Sequence, residues 1–143
     1  MTSSPGGDPS GGEVQTPPAP RAIVAGHGTF PQGIVSAVEQ ITGFGNVFIP
    51  LSNSGLSGED IEGRIREHAK SSGISVFFTD LPAGSATIAV RRMMREDPSL
   101  ILVTGTNLAT LLEFVFRGEE TPADAARHSV EKGRAALDTQ GNR

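Results

Sequence analysis

The sequence predicts an α/β fold, an open, doubly wound sheet of four parallel strands in the order 2-1-3-4 with helices on both faces. Three observations carry this prediction. Residues 22–25, 47–49, 74–78 and 100–103 form short runs that are almost wholly apolar, as strands covered on both faces must be. The segments between them space their apolar residues three and four apart, the period of an amphipathic helix. Strands and helices that alternate in this way join through right-handed crossovers into a parallel sheet.

Each element has its own signal. Residues 1–20 hold half of all the prolines and much glycine and serine. They have too little apolar surface to offset their ordering entropy and are expected to be a disordered tail. From Arg21 the pattern changes, and residues 21–143 are read as one domain. Strand one, residues 22–25, stops at Gly26. Ile34, Val35, Val38 and Ile41 mark a helix ended by Gly43, and strand two is expected to close at Pro50. A Gly/Ser-rich loop over 52–58 leads to a helix that opens on Glu59 and Asp60, acids suited to its N-terminus, with Ile61, Ile65 and Ala69 on one face. Strand three leads into Thr79-Asp80 and the turn Leu81-Pro82-Ala83-Gly84. Ala86, Ala89, Val90, Met93 and Met94 then mark a helix ending before Pro98. Strand four is followed by a helix carrying Leu108, Leu111, Leu112 and Val115. Thr121-Pro122 supplies an N-cap and a first-turn proline for the last helix.

Composition removes several function classes. The chain has 143 residues, a formal net charge of −4 and no Cys, Trp or Tyr. It offers no basic patch or base-stacking platform for nucleic acid, no disulfide framework, no cysteine zinc site and no thiol nucleophile. The N-terminus lacks the charged and apolar regions of a signal peptide, and no apolar run reaches membrane-span length. A cytoplasmic protein without direct membrane insertion is the simplest expectation.

In an open parallel sheet, ligands gather at the carboxyl ends of the strands. Those edges carry Gly26-His27-Gly28-Thr29, Asn53-Ser54-Gly55, Thr79-Asp80 and Gly105-Thr106-Asn107. His27 lies between glycines that allow close approach and expose amide N–H groups to an anion. Its ordinary pKa suits a nucleophile or a proton shuttle, although a histidine in a turn can also be structural. A carboxylate at the end of an apolar strand, as Asp80 is, needs a partner. With strands one and three adjacent, Asp80 can hold one ring nitrogen of His27 and leave the other free to attack; alternatively it caps the turn that follows. Gly84 and Ser85, at a helix start, are candidate phosphate-binding residues with Gly28 and Thr29. His68 and His128 read as surface residues.

Other motifs fail. The third glycine of a dinucleotide fingerprint is replaced by Pro31, and no acid follows strand two to bind a ribose. There is no Gly-Lys-Ser/Thr phosphate loop and no nucleophile elbow. A receiver domain also places an aspartate after strand three, but its Mg²⁺ needs acids after strand one, where this chain has none.

At the same residues the chain resembles the mannose-class enzyme IIA domain of the bacterial phosphoenolpyruvate-dependent sugar phosphotransferase system. The resemblance spans residues 21–135. It rests on Ile23-Val24-Ala25-Gly26-His27-Gly28, on Phe77-Phe78-Thr79-Asp80-Leu81-Pro82-Ala83-Gly84-Ser85, and on Gly105-Thr106-Asn107-Leu108-Ala109-Thr110-Leu111-Leu112. It implies a phosphotransferase component with a phosphohistidine intermediate. His27 would accept a phosphoryl group from the histidine phosphocarrier protein and pass it to a separate IIB protein for sugar uptake. Asp80 would orient His27, and Ser85 would contact the phosphate. It implies no cofactor and no metal, and a homodimer that in this family often exchanges a fifth, antiparallel strand. The chain departs from the family's Gly-Gly-Ser-Pro turn at Ala83-Gly84-Ser85-Ala86, and Ala109-Thr110 replaces a Pro-Met pair. Two alternatives share the histidine: the phosphotransfer subunit of dihydroxyacetone kinase, and a regulatory module controlled by its phosphorylation.

Overall fold

The computed structural model describes residues 20–142; the expected tail over 1–20 lies outside them apart from Pro20. The elements are β1 (Ala22–Gly26), α1 (Phe30–Thr42), β2 (Phe48–Ser52), α2 (Gly58–Ser72), β3 (Val76–Thr79), α3 (Ser85–Glu96), β4 (Ile101–Val103), α4 (Leu108–Phe116) and α5 (Pro122–Ala136). The strands form one sheet in the order β2-β1-β3-β4, and every pairing is parallel. No fifth strand occurs among the described residues.

Successive strand side chains point to opposite faces, and the core divides accordingly. On one face Ala22, Val24, Phe48, Val76, Phe78 and Val103 pack against Val38 of α1, Leu111 and Phe114 of α4, and Ala125 and Ala126 of α5. Phe48, Phe78 and Phe114 form an aromatic cluster with ring centroids 5.2–6.0 Å apart, within the range where edge contacts stabilise. On the other face Ile23, Ala25, Leu51 and Phe77 meet Ile61 and Ile65 of α2 and Ala86, Val90 and Met93 of α3. β1 and β3 are buried along their whole length, which holds their carboxyl ends rigidly side by side.

Helix ends follow the side chains available. Ser57 accepts from the Asp60 N–H at the start of α2, and Thr121 from the Asp124 N–H at the start of α5. Gly43 and Gly73 end α1 and α2 in the left-handed conformation, which glycine adopts without penalty.

Three local expectations are corrected. Strand two does not close at Pro50 but runs from Phe48 to Ser52, while Val47 falls in a preceding 3₁₀ turn, Gly45–Val47. β2 is an edge strand, where a proline's missing N–H is tolerated. Ile74 lies before strand three, not in it, because its N–H closes the end of α2 on the Ala69 carbonyl. Ile41 is 58% exposed; the buried stripe of α1 rests on Pro31 and Val38, flanked by Ile34 and Val35.

Candidate functional site

β1 ends in Gly26 and β3 in Thr79, and Ala25 is in register with Thr79. The next residues out of the sheet are therefore neighbours across the carboxyl edge. There His27 Nδ1 lies 2.8 Å from Asp80 Oδ2, and the His27 backbone N–H donates to the same oxygen at 2.9 Å. The His27 side chain is 52% exposed and that of Asp80 only 13%, so the carboxylate is enclosed while the ring is open. A carboxylate only accepts, so in the neutral ring the proton resides on Nδ1 and Nε2 carries the lone pair.

Burial pushes the Asp80 carboxyl up, but the hydrogen bonds from the His27 backbone and ring and the attraction of the imidazolium outweigh it. The net effect lowers its pKa below the ordinary value. The two glycines flanking this pair fit it closely. A Cβ on Gly26 would lie 2.6 Å from Asp80 Oδ2, and a Cβ on Gly84 would lie 3.0 Å from His27 Cε1 and 3.4 Å from Nε2. Gly84 also has φ +106°, a backbone conformation that side chains disfavour.

The loop carrying Asp80 is anchored from beneath. Thr87 Oγ1 lies 2.8 Å from Thr79 Oγ1 and donates to the Leu81 carbonyl at 2.7 Å. Thr106 donates to the Thr79 carbonyl through its hydroxyl at 2.8 Å and its N–H at 3.1 Å. Gly84 and Ser85 then open α3, whose N-terminus has no side-chain cap. Its first-turn N–H groups can thus receive an anion.

Gly28 and Thr29 continue from His27 into α1. Gly28 has φ +55° and its carbonyl accepts from the Ser52 hydroxyl at 2.7 Å. Thr29 is exposed at the start of α1 and its side chain makes no capping bond. Asn53 was visible in the sequence only as part of a polar strand end; its Nδ2 donates to Ser85 Oγ at 3.1 Å. A cleft of about 760 Å³ runs from Ser85 between α2 and α3, lined by Glu62, Arg66, Ile88 and Arg92 among others.

Other sequence candidates lie outside this cluster. Asn107 caps α4 by accepting from the Thr110 N–H, and its Nδ2 donates to the Gly133 carbonyl in α5 at 2.9 Å. His128 is not simply a surface residue: it is half-buried, with Nδ1 2.8 Å from Glu120 Oε1. His68 is half-buried on α2. Among the described residues no cluster of three or more His, Asp or Glu side chains is placed to hold a metal ion.

The family model described as EIIA-man, PTS system fructose IIA component, matches residues 21–131. Among solved structures, the phosphotransferase system component EIIA from Streptococcus agalactiae is 23% identical, with a TM-score of 0.76 over 83% of this chain and 95% of that one. The mannose/sorbose specific IIA subunit from Enterococcus faecalis is 19% identical, with a TM-score of 0.72 over 87% of this chain and 96% of that one. The PTS IIA protein associated with the fucose utilization operon of Streptococcus pneumoniae is 20% identical, with a TM-score of 0.72 over 83% and 91%. At these identities the likeness is one of fold. No curated protein matches the chain.

Proposed function

The chain belongs to the EIIA-man family of phosphotransferase system IIA components, and from that premise we propose that it is a phosphocarrier charged on Nε2 of His27. The observation that carries the reading is the His27–Asp80 pair, with one ring nitrogen held at 2.8 Å by an enclosed carboxylate and the ring itself half exposed. The donor is the phosphorylated histidine phosphocarrier protein, and the acceptor a separate IIB protein that phosphorylates incoming sugar. We place it in the cytoplasm, where both partners work; no helix among the described residues is long and apolar enough to cross a membrane.

In the transfer, the Nε2 lone pair of neutral His27 forms a bond to phosphorus as the donor's N–P bond breaks. The electron pair of that bond returns to the donor imidazole. His27 keeps its Nδ1 proton and becomes a phosphorylated imidazolium, whose positive charge Asp80 offsets across the hydrogen bond. Catalysis is then mainly positioning and electrostatics. The open N–H groups at the start of α3, the Ser85 hydroxyl and the backbone at Gly28 and Thr29 receive the phosphoryl oxygens. This needs neither metal nor cofactor.

Incubation with phosphoenolpyruvate and the two general phosphotransferase proteins should leave an acid-labile, alkali-stable phosphate on the chain. His27→Ala should abolish the label, and labelling of that variant at the wild-type level would rule out the assignment. Onward transfer to a IIB protein distinguishes sugar uptake from a dihydroxyacetone kinase subunit or a purely regulatory module.

A further inference from the structure

We propose that Asn53 is a positioning residue of the phosphoryl site, acting through Ser85; the inference rests on the phosphocarrier reading. Asn53 is the first residue after β2, whose last residue, Ser52, is in register with Gly26. Its backbone N–H donates to the Gly26 carbonyl at 2.9 Å, and its own carbonyl accepts from the Leu56 N–H at 3.0 Å. The peptide joining Gly26 to His27 is thereby held at both ends. Asn53 takes its oxygen, and Asp80 takes the His27 N–H at 2.9 Å. From this fixed backbone the Asn53 side chain reaches α3 and donates from Nδ2 to Ser85 Oγ at 3.1 Å.

That bond decides which way the serine hydroxyl works. A hydroxyl has one proton to donate and two lone pairs to accept with. The Asn53 amide occupies a lone pair, and among the described residues the Ser85 proton has no protein acceptor. It is left to donate to an oxygen of a phosphoryl group on His27, and a hydroxyl that already accepts a hydrogen bond donates a stronger one. An aspartate at 53 would reverse the polarity. It would take the Ser85 proton for itself and place a negative charge beside the phosphoryl dianion. Asn53 therefore couples the strand edge that carries His27 to the helix start that receives the phosphate.

The test compares wild type, Asn53→Ala, Ser85→Ala, the double variant and Asn53→Asp, each charged by the phosphorylated histidine phosphocarrier protein. Two quantities are read: the rate of charging, and the pKa of the phosphoryl group by ³¹P NMR. Removing a donor to the dianion raises that pKa, an effect that loose packing elsewhere would not produce. Asn53→Ala and Ser85→Ala should each slow charging by about 10-fold and raise the phosphoryl pKa. The double variant should be no slower than Ser85→Ala alone, because the two residues act as one unit. Asn53→Asp keeps the side chain's shape and both backbone bonds, so it remains informative if the alanine variant does not fold; it should charge more slowly than wild type with a raised phosphoryl pKa. Wild-type rate and pKa in the asparagine variants, or losses that multiply in the double variant, would overturn the role of Asn53. If wild-type protein accepts no phosphoryl group, the phosphocarrier reading itself has failed and this inference falls with it.

Discussion

At the scale of single residues, the His27–Asp80 pair sets demands on its neighbours that can be measured. Gly26 is buried with ordinary φ, yet a Cβ there would lie 2.6 Å from Oδ2 and 2.7 Å from Cγ of Asp80. Gly26→Ala must push the carboxylate off His27, since the strand beneath it cannot move. It should destabilise the fold by about 1–3 kcal/mol and slow phosphoryl acceptance about 10²-fold, as misplacement of a reacting group does; denaturant titration and labelling would check both. The pH dependence of stability offers a second test. The folded-state pKa of Asp80 is depressed, so its contribution is fully present above the ordinary carboxyl value of 3.8 and is lost as pH falls through the lower, folded value. The stability difference between wild type and Asp80→Asn should be greatest near neutrality and shrink on acidification below about pH 4. A constant difference down to pH 2 would show that the carboxylate gains nothing from His27. His27 and Asp80 were legible in the sequence because their residue types announce chemistry and their strand ends placed them together. The hydrogen bond from Asn53 to Ser85 was not, because it depends on where the end of β2 falls relative to α3, a tertiary distance that no local spacing encodes.

At the scale of elements, the four strands and the helices between them were readable because burial on both faces leaves an unbroken apolar signature. The boundaries were harder. Pro50 suggests a strand end only if the strand is interior; at the edge position that the 2-1-3-4 order gives β2, the strand runs on through it to Ser52. Gly105-Thr106-Asn107 occupies the same sheet edge as the site, yet its asparagine serves helix ends. Asn107 and Thr110 form a reciprocal capping box at α4, and Asn107 also ties α4 to α5 at Gly133. Gly133 has no side chain because a Cβ there would collide with Thr110 Oγ1, which accounts for the buried, close approach of α4 and α5. The same contact gives a structural use to the threonine that stands in place of the family's methionine. Asn107→Ala removes a cap and an inter-helix hydrogen bond, together about 2 kcal/mol. Urea denaturation should show that loss, while the charging rate of the folded fraction stays at the wild-type value. A slowed rate in fully folded protein would place Asn107 in the site after all.

At the scale of the whole molecule, the two edges of the sheet differ. β2 carries Pro50 in its midst, a residue that discourages pairing with another strand. β4 has no such guard: Ile101, Leu102 and Val103 are paired to β3 on one side only. Ile101 and Leu102 are only half-buried, and a groove of about 230 Å³ lies between them and Ala126 and Val130 of α5. An apolar, unpaired edge is a template for a further strand or for a second copy of the chain. A homodimer of the kind that the resemblance implies would find its seam at this edge. The assignment does not need the exchanged fifth strand, which the described residues do not contain. Light scattering at tens of micromolar protein should give twice the monomer mass. Leu102→Lys, which puts a charge on the half-buried edge strand and leaves the His27–Asp80 pair unaltered, should return it to a monomer that still accepts phosphate. A monomeric wild type would remove the homodimer, and a Leu102→Lys dimer would move its interface elsewhere. Either result would leave the His27–Asp80 pair standing, because both residues come from the same chain.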